Sequence, residues 1–483
     1  MTEQPILHDS NFQGKYLSLR MGFRLKTIHM DIRKTFIPII ILAVSAIGAA
    51  AQVSEKDFNG FDRDFENKTL RLDYVFAGNA RSQQIHFREA LSGGIWAGRR
   101  HSLGSVCLDG NGRLEVLDPQ TRDVLYVNTF STLFQEWLSQ EEATFTDKAF
   151  EECFQVPFPR RKVDIRVTLF DIRGNVTASL THPVDPTDIL IRPVPDNGFT
   201  YRYILRSGEP SCCIDLAIVG DGYAAADTAK FFSDATRAVE ALTAHDPFTT
   251  LKDRFNIVAV AAISQESGVS IPHEGIWKNT LLKCHFDTFY SARYLTAGSM
   301  TAVYDALAGV PFEHILVLSN TGVYGGGGIY NSILTCSADH PTFPKVLVHE
   351  FGHSFAGLGD EYYYDDGYDP MYVPEKEPWE PNLTTLADFS SKWADMLPKG
   401  TPVPTPPDDI EKTQDVRRIW QTLPQKTRKR LNGKLGVYEG GGYLSKGVYR
   451  PVQECRMKIN ECEDFCPVCT RAIIRTVSFY TSD

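Results

Sequence analysis

Val346-Leu-Val-His349-Glu350-Phe-Gly-His353-Ser-Phe-Ala-Gly357-Leu-Gly-Asp360-Glu361-Tyr362 is the stretch on which the reading of this chain turns. Its apolar spacing predicts a helix that begins after Thr342, with Pro344 in the first turn, where a missing N–H leaves no hydrogen bond unmade. His349 and His353 then lie one turn apart on one face and can grip a single metal ion. Glu350 flanks that face, outside the ligand shell but near enough to polarise a bound water, which is the arrangement behind the H-E-x-x-H pattern. Gly357 offers a helix stop, after which the chain can turn back and bring a carboxylate, Asp360 or Glu361, to the same ion. Three protein ligands and one position left for water describe a catalytic zinc. Two histidines on an ordinary helix are the competing reading. The apolar helix, the glycine stop and the acidic pair behind it favour the metal.

The 483 residues point to two or three domains, and a hydrophobic share of 42% with 23% charged residues is an ordinary globular composition. A net charge of -10 argues against nucleic acid or an anionic membrane surface as partner. The basic cluster from Lys426 to Arg430, with Lys434, reads as a solvated helix face.

Arg33 and Lys34 precede a nearly all-apolar run from Phe36 to Ile47, and Gly48-Ala-Ala-Ala-Gln52 follows as a small-residue cleavage pattern. Together they read as a signal peptide, with Met30 well placed as the true start. The run is too short to span a bilayer comfortably, so no transmembrane segment is expected in the mature chain. No cysteine follows it, which argues against a lipid anchor. Residues 1–51 are therefore set apart from the fold, and the mature protein is expected in the periplasm, on the cell surface or outside the cell.

Ten cysteines remain: Cys107, Cys153, Cys212, Cys213, Cys284, Cys336, Cys455, Cys462, Cys466 and Cys469. Export into an oxidising environment favours disulfides. Cys455, Cys462, Cys466 and Cys469 crowd together, and a four-thiolate zinc site is the alternative for them.

Residues 52–206 alternate with period two, as in Leu70, Leu72 and Tyr74 and in Val163, Ile165, Val167 and Leu169, with turn chemistry at Asp109-Gly-Asn-Gly112 and Arg173-Gly-Asn175. An all-β sandwich is expected there. It gathers no His, Asp and Glu into a site. Residues 207–483 change character: apolar strands at Ile214–Val219, Phe255–Ile263 and Ile315–Leu318, and a helical pattern from Ala224 to Leu242, predict an α/β domain with a mixed sheet leading into the histidine helix. Tyr324-Gly-Gly326-Gly327-Gly-Ile-Tyr330 precedes that helix. Its glycines suit an edge over which a peptide lies by main-chain hydrogen bonds, with a simple flexible turn as the alternative.

After Tyr362-Tyr-Tyr364, whose hydroxyls are candidates for oxyanion stabilisation, a proline-rich and acidic insertion runs from about residue 365 to 409. Residues 410–431 look helical, Glu439-Gly-Gly-Gly-Tyr443 is a second glycine-rich turn, and Phe465-Cys-Pro-Val-Cys469 opens a last helix.

His-Glu-Phe-Gly-His, Leu-Gly-Asp-Glu-Tyr, Cys455-Arg-Met457 and Phe-Cys-Pro-Val-Cys together resemble the M64 metallopeptidases, the group that includes IgA-cleaving enzymes, over roughly residues 212–475. The resemblance implies a metzincin-like catalytic domain in which Met457 is the methionine beneath the zinc. Metzincins place their third ligand one residue earlier than this chain can, since Gly359 stands at that position. Asp360 is therefore the expected third ligand, with Glu361 as alternative. The function implied is a secreted zinc metalloendopeptidase with Glu350 as general base, acting on proteins or glycoproteins, with immunoglobulins and mucins as candidates. A secreted binding protein with a latent protease domain is the alternative of another class.

Overall fold

Alternating strands build the first part of the chain, for which the computed structural model describes residues 60–364, 371–413 and 415–481. The expected signal peptide and the start of the proline-rich insertion, residues 365–370, lie outside the described residues. The strands are β1 (Phe65–Asn79), β2 (Ser82–Ser92), β3 (Gly112–Leu117), β4 (Val124–Phe130), β5 (Lys148–Pro159), β6 (Val163–Phe170), β7 (Val176–Val184) and β8 (Arg192–Pro193). They form two four-stranded sheets, ordered β5-β1-β2-β8 and β4-β3-β6-β7. Leu70, Leu72, Tyr74 and Phe76 of β1 share one core with Leu114 and Val116 of β3 and Ile165, Val167 and Leu169 of β6. The region is not strand alone: a short helix at Leu133–Trp137, capped by Thr132 accepting from the N–H of Gln135, and a 3₁₀ turn at Glu141–Thr144 pack on the same core.

The alternation in β1 does not mark a wet face. Arg71 and Asp73 are as buried as Leu70 and Leu72 beside them. Arg71 pairs with Asp73 at 2.7 Å and reaches Asp305 at 2.6 Å, on a helix of the second part (Met300–Ala306). The polar rows of β1 therefore form a junction between the two halves, and period two alone cannot tell such a junction from water.

The second part is organised on a six-stranded sheet of β9 (Tyr201–Leu205), β10 (Ile214–Asp221), β11 (Phe255–Val260), β12 (His314–Ser319), β13 (Gly326–Gly328) and β14 (Leu334–Ser337), ordered β13-β14-β12-β10-β11-β9. The inner four strands run parallel and the two outer ones antiparallel to their neighbours. Inner strands read as unbroken apolar runs because both sheet faces are covered. Ile214, Leu216 and Ile218 face the cluster that holds the histidine helix, while Ala217 and Val219 face the cluster around Val303 and Leu307.

The helix expected from Ala224 runs from Thr228 to Thr243, its predicted first turn being 3₁₀, with Asp227 accepting from the N–H of Ala224. Residues 410–431 do not make one helix. They give Asp409–Thr413, Val416–Ile419 and a third helix, Gln425–Gly433, that starts after Pro424, whose ring supplies no N–H to continue a helix. The basic side chains of Lys426, Lys429 and Arg430 on the last of these are exposed, as a solvated face requires. The insertion is ordered where described: Trp393 is fully buried and its indole N–H donates to Gly436 O at 2.8 Å. A small sheet of β15 (Tyr363–Tyr364), β16 (Tyr438–Gly441) and β17 (Tyr443–Arg450), ordered β15-β17-β16, ties the segment after Asp360 to the tail. The chain closes with a helix at Pro467–Thr481. Among the described residues no helix is long and apolar enough to cross a membrane.

Candidate active site

The histidine helix spans Phe343–Ala356, with Pro344 in its first turn. Leu347, Val348, Phe351 and Phe355 are buried, and this apolar face fixes the rotation that turns His349 and His353 to the other side. Two glycines let neighbouring atoms come close. A Cβ on Gly352 would lie 2.9 Å from the sulfur of Met457, and one on Gly328 would lie 2.4 Å from Glu350 O. Met457, fully buried, thus sits directly against the helix that carries both histidines.

Gly357 ends the helix in the left-handed region at φ 58°. The turn brings Leu358 O back over His353, whose Nδ1 donates to it at 2.5 Å, while Nδ1 of His349 donates to Arg456 O at 2.9 Å. A carbonyl can only accept, so each ring carries its proton on Nδ1 and turns a bare Nε2 to the same point. The two Nε2 atoms are 3.1 Å apart and stand 3.1 Å and 3.2 Å from Asp360 Oδ1, which has no hydrogen-bond donor.

Three electron-pair donors facing one another without a proton between them repel unless a cation lies among them. A tetrahedral ion with bonds of about 2.0–2.1 Å spaces its ligand atoms by about 3.3–3.4 Å, close to what is found here, so these residues fit zinc. A proton is the other way to relieve the triangle. Burial presses the His353 imidazole down, yet the facing charge and hydrogen bond of Asp360 outweigh it and raise it to about 9. Burial likewise works against the Asp360 charge, but the two imidazoles hold that carboxyl far below the usual range.

Asp360 is held from behind. Its Oδ2 accepts from the Tyr443 hydroxyl at 2.5 Å, and Tyr362 stands in edge contact with Tyr443 at 5.3 Å between ring centres. Glu350 sits beside the triangle. Burial pushes its carboxyl up, against the pull of the two imidazoles.

Glu361, the alternative third ligand, is not brought to the histidines. Its Oε1 accepts from Asn382 Nδ2 at 2.9 Å and lies 3.2 Å from Cys469 Sγ. The expected disulfides are not formed, and all ten cysteines are free thiols. Even Cys455 and Cys469 keep their sulfurs 3.8 Å apart, where a disulfide needs about 2.05 Å. The expected four-cysteine group is not formed either. Cys462 turns away towards Asp464 O and Asn432, and Glu361 takes its place beside Cys455, Cys466 and Cys469.

Gly326 and Gly327 do lie on an outer strand and line the cleft in front of Glu350. They are not an open edge throughout. Tyr294 bridges to Gly326, and a Cβ on Gly327 would meet the Tyr294 ring at 2.5 Å. Close packing of the helix on one side and of Tyr294 on the other accounts for most of the glycine run.

The cleft measures about 2170 Å³ and holds His349, Glu350, His353, Asp360, Tyr362 and Tyr443 on one wall. The opposite wall belongs to the first part of the chain, and there a residue without any motif enters the site. Glu136, on the Leu133–Trp137 helix, accepts from the Tyr294 hydroxyl at 2.5 Å, and burial raises its carboxyl to about 7. No local pattern marks Glu136, because its partner lies 158 residues away.

No curated protein matches the sequence. Two family models do: one described as the N-terminus of peptidase M64 matches residues 60–181, and one described as IgA peptidase M64 matches residues 203–477. With both parts of that architecture present, and a cleft between them that gathers the histidine helix and Asp360, the chain belongs to the M64 peptidase family.

Proposed function

We propose that this peptidase is an exported, metzincin-like zinc metalloendopeptidase that cuts protein or glycoprotein substrates outside the cytoplasm. The observation that carries the reading is the triangle of bare acceptors, His349 Nε2, His353 Nε2 and Asp360 Oδ1, with edges of 3.1–3.2 Å beside the buried Glu350. A zinc ion held there would lower the pKa of a water towards about 7 and polarise the substrate carbonyl.

The chain's own groups do the rest. Glu350 takes the proton of the attacking water and delivers it to the departing amine, a task suited to a carboxyl that burial has made more basic. The carbonyls of Arg456 and Leu358 keep both imidazoles in the tautomer that leaves Nε2 bare. Tyr443 holds Asp360, and both Tyr362 and Tyr443 border the space in which the carbonyl oxygen gains charge. Met457 forms a soft floor under the histidine helix. Gly326 and Gly327 line the cleft in front of Glu350, where an extended peptide would lie.

The test is cleavage of a panel of extracellular proteins, immunoglobulins and mucins included, by the purified chain with and without a chelator and beside Glu350→Ala. Chelator-sensitive cutting that the variant lacks supports the reading. Failure to cut any substrate with zinc bound would favour the latent binding protein instead.

A further inference from the structure

Directly behind Asp360 lies a second, separate group of ligand-type side chains. Glu361, Cys455, Cys466 and Cys469 offer ligand atoms that all lie within 4.8 Å of one another, and each of the four residues is at most 1% exposed. None of them borders the cleft. Three thiols and a carboxyl are an unusual group to bury together without a partner ion, and Glu361 Oε2 has no hydrogen-bond donor at all.

The geometry matches a closed tetrahedral site. Sulfurs bonded to zinc at about 2.3 Å stand about 3.8 Å apart, and a sulfur and a carboxylate oxygen about 3.5 Å apart. Cys455 Sγ is 3.8 Å from Cys469 Sγ, and Cys469 Sγ is 3.2 Å from Glu361 Oε1. Backbone amides point at the sulfurs as they do at thiolates: Cys466 N–H donates to Cys455 Sγ at 3.2 Å and Cys469 N–H to Cys466 Sγ at 3.5 Å. Cys466-Pro-Val-Cys469 has the two-residue gap by which one turn of chain supplies two ligands. A soft sulfur-rich set selects zinc over calcium or magnesium.

We propose that Glu361, Cys455, Cys466 and Cys469 bind a second zinc ion, structural and closed to substrate, which joins the segment after the histidine helix to the tail. Its place gives it a task. Glu361 follows Asp360 in the chain, and its N–H donates to Met457 O at 2.8 Å. Cys455 precedes Arg456, whose carbonyl orients His349. The second ion thereby positions Asp360, the partner of His349 and Met457 from one side. It is a site of positioning, since none of its ligands faces the cleft.

The experiment is metal analysis and native mass spectrometry of the full chain purified without chelator, as wild type, as His353→Ala and as Cys466→Ser/Cys469→Ser. Two zinc ions per chain are expected in the wild type and one in His353→Ala. Cobalt-loaded wild type and His353→Ala should both show a sulfur-to-cobalt charge-transfer band, which Cys466→Ser/Cys469→Ser lacks. One ion in the wild type and none in His353→Ala would overturn the proposal, as would a mass two units low from a Cys455–Cys469 or Cys466–Cys469 disulfide. If the double serine variant fails to fold, the counts for the other two proteins still decide. One ion retained equally by both would uphold this site and sink the catalytic one.

Discussion

The hydroxyl of Tyr443 donates to Asp360 Oδ2 at 2.5 Å while the other oxygen of the same carboxylate faces His349 and His353. A tyrosine on β17 thus decides which lone pair of Asp360 is left for the cleft. Tyr443→Phe keeps the ring against Tyr362 and removes only the hydroxyl. It should weaken metal binding by about 10–100-fold, as loss of a ligand's supporting hydrogen bond does elsewhere, with little change in Tm. Competition against a chromophoric chelator measures this, and unchanged affinity would show that Tyr443 merely packs.

Variants at Glu350 and His353 test the proposed base and the proposed ligand separately. Glu350→Gln should retain the metal and the fold while kcat/KM falls by about 10²–10⁴-fold, the range for a general base. His353→Ala should lose the catalytic ion. Metal content measured beside peptide hydrolysis tells the two apart, and a Glu350→Gln enzyme of normal rate would remove Glu350 from the mechanism.

Glu136 makes stability depend on pH. Its carboxyl is raised in the fold to about 7, from an unfolded value of 4.5, by burial. A group raised in this way favours the folded state fully below its unfolded pKa, and that contribution fades as pH climbs through the folded value. The loss is on the order of 2–3 kcal/mol between about pH 4.5 and 7.5. Glu136→Gln cannot titrate, so its Tm should gain on the wild type by a few degrees between pH 5 and pH 8. Parallel Tm curves for the two proteins would contradict the buried, raised carboxyl.

Gly328 leaves no room for a side chain. A Cβ there would meet Glu350 O at 2.4 Å and the His353 Cβ at 3.0 Å, so Gly328→Ala must push the histidine helix off the sheet. Destabilisation of about 1–3 kcal/mol is expected, as for other overpacked sites, together with lost hydrolysis. Gly94→Ala, where nothing lies within 4 Å, is the control that should change neither. Chemical denaturation of the three proteins checks both expectations.

The histidine helix was readable because its signals are local: Pro344 at the start, Gly357 at the end, and His349 and His353 at a helical spacing between apolar neighbours. Ile214–Asp221 and His314–Ser319 were readable as inner strands for the same reason. What depends on distant partners was not. Nothing local marks Arg71 and Asp73 as buried, because the partner that completes their pairing, Asp305, lies 234 residues on from Arg71. Glu136 carried no pattern, and Glu361 could be read as a ligand to the histidine site only because sequence distance says nothing about which way a carboxylate turns. The disulfide expectation rested on compartment and an even cysteine count, neither of which places two sulfurs together, and all ten cysteines are free.

The parts that complete the histidine site come late in the chain. Tyr443 holds Asp360, Arg456 O orients His349, and Met457 meets Gly352, so a polypeptide still being synthesised, with the histidine helix already made, has none of them. Such a nascent chain bears His353 aimed by Leu358 O, but a His349 whose orienting carbonyl, Arg456 O, is not yet made. The site is therefore complete only after the tail has docked, so synthesis of the histidine helix and assembly of the site are separate events in the life of the chain.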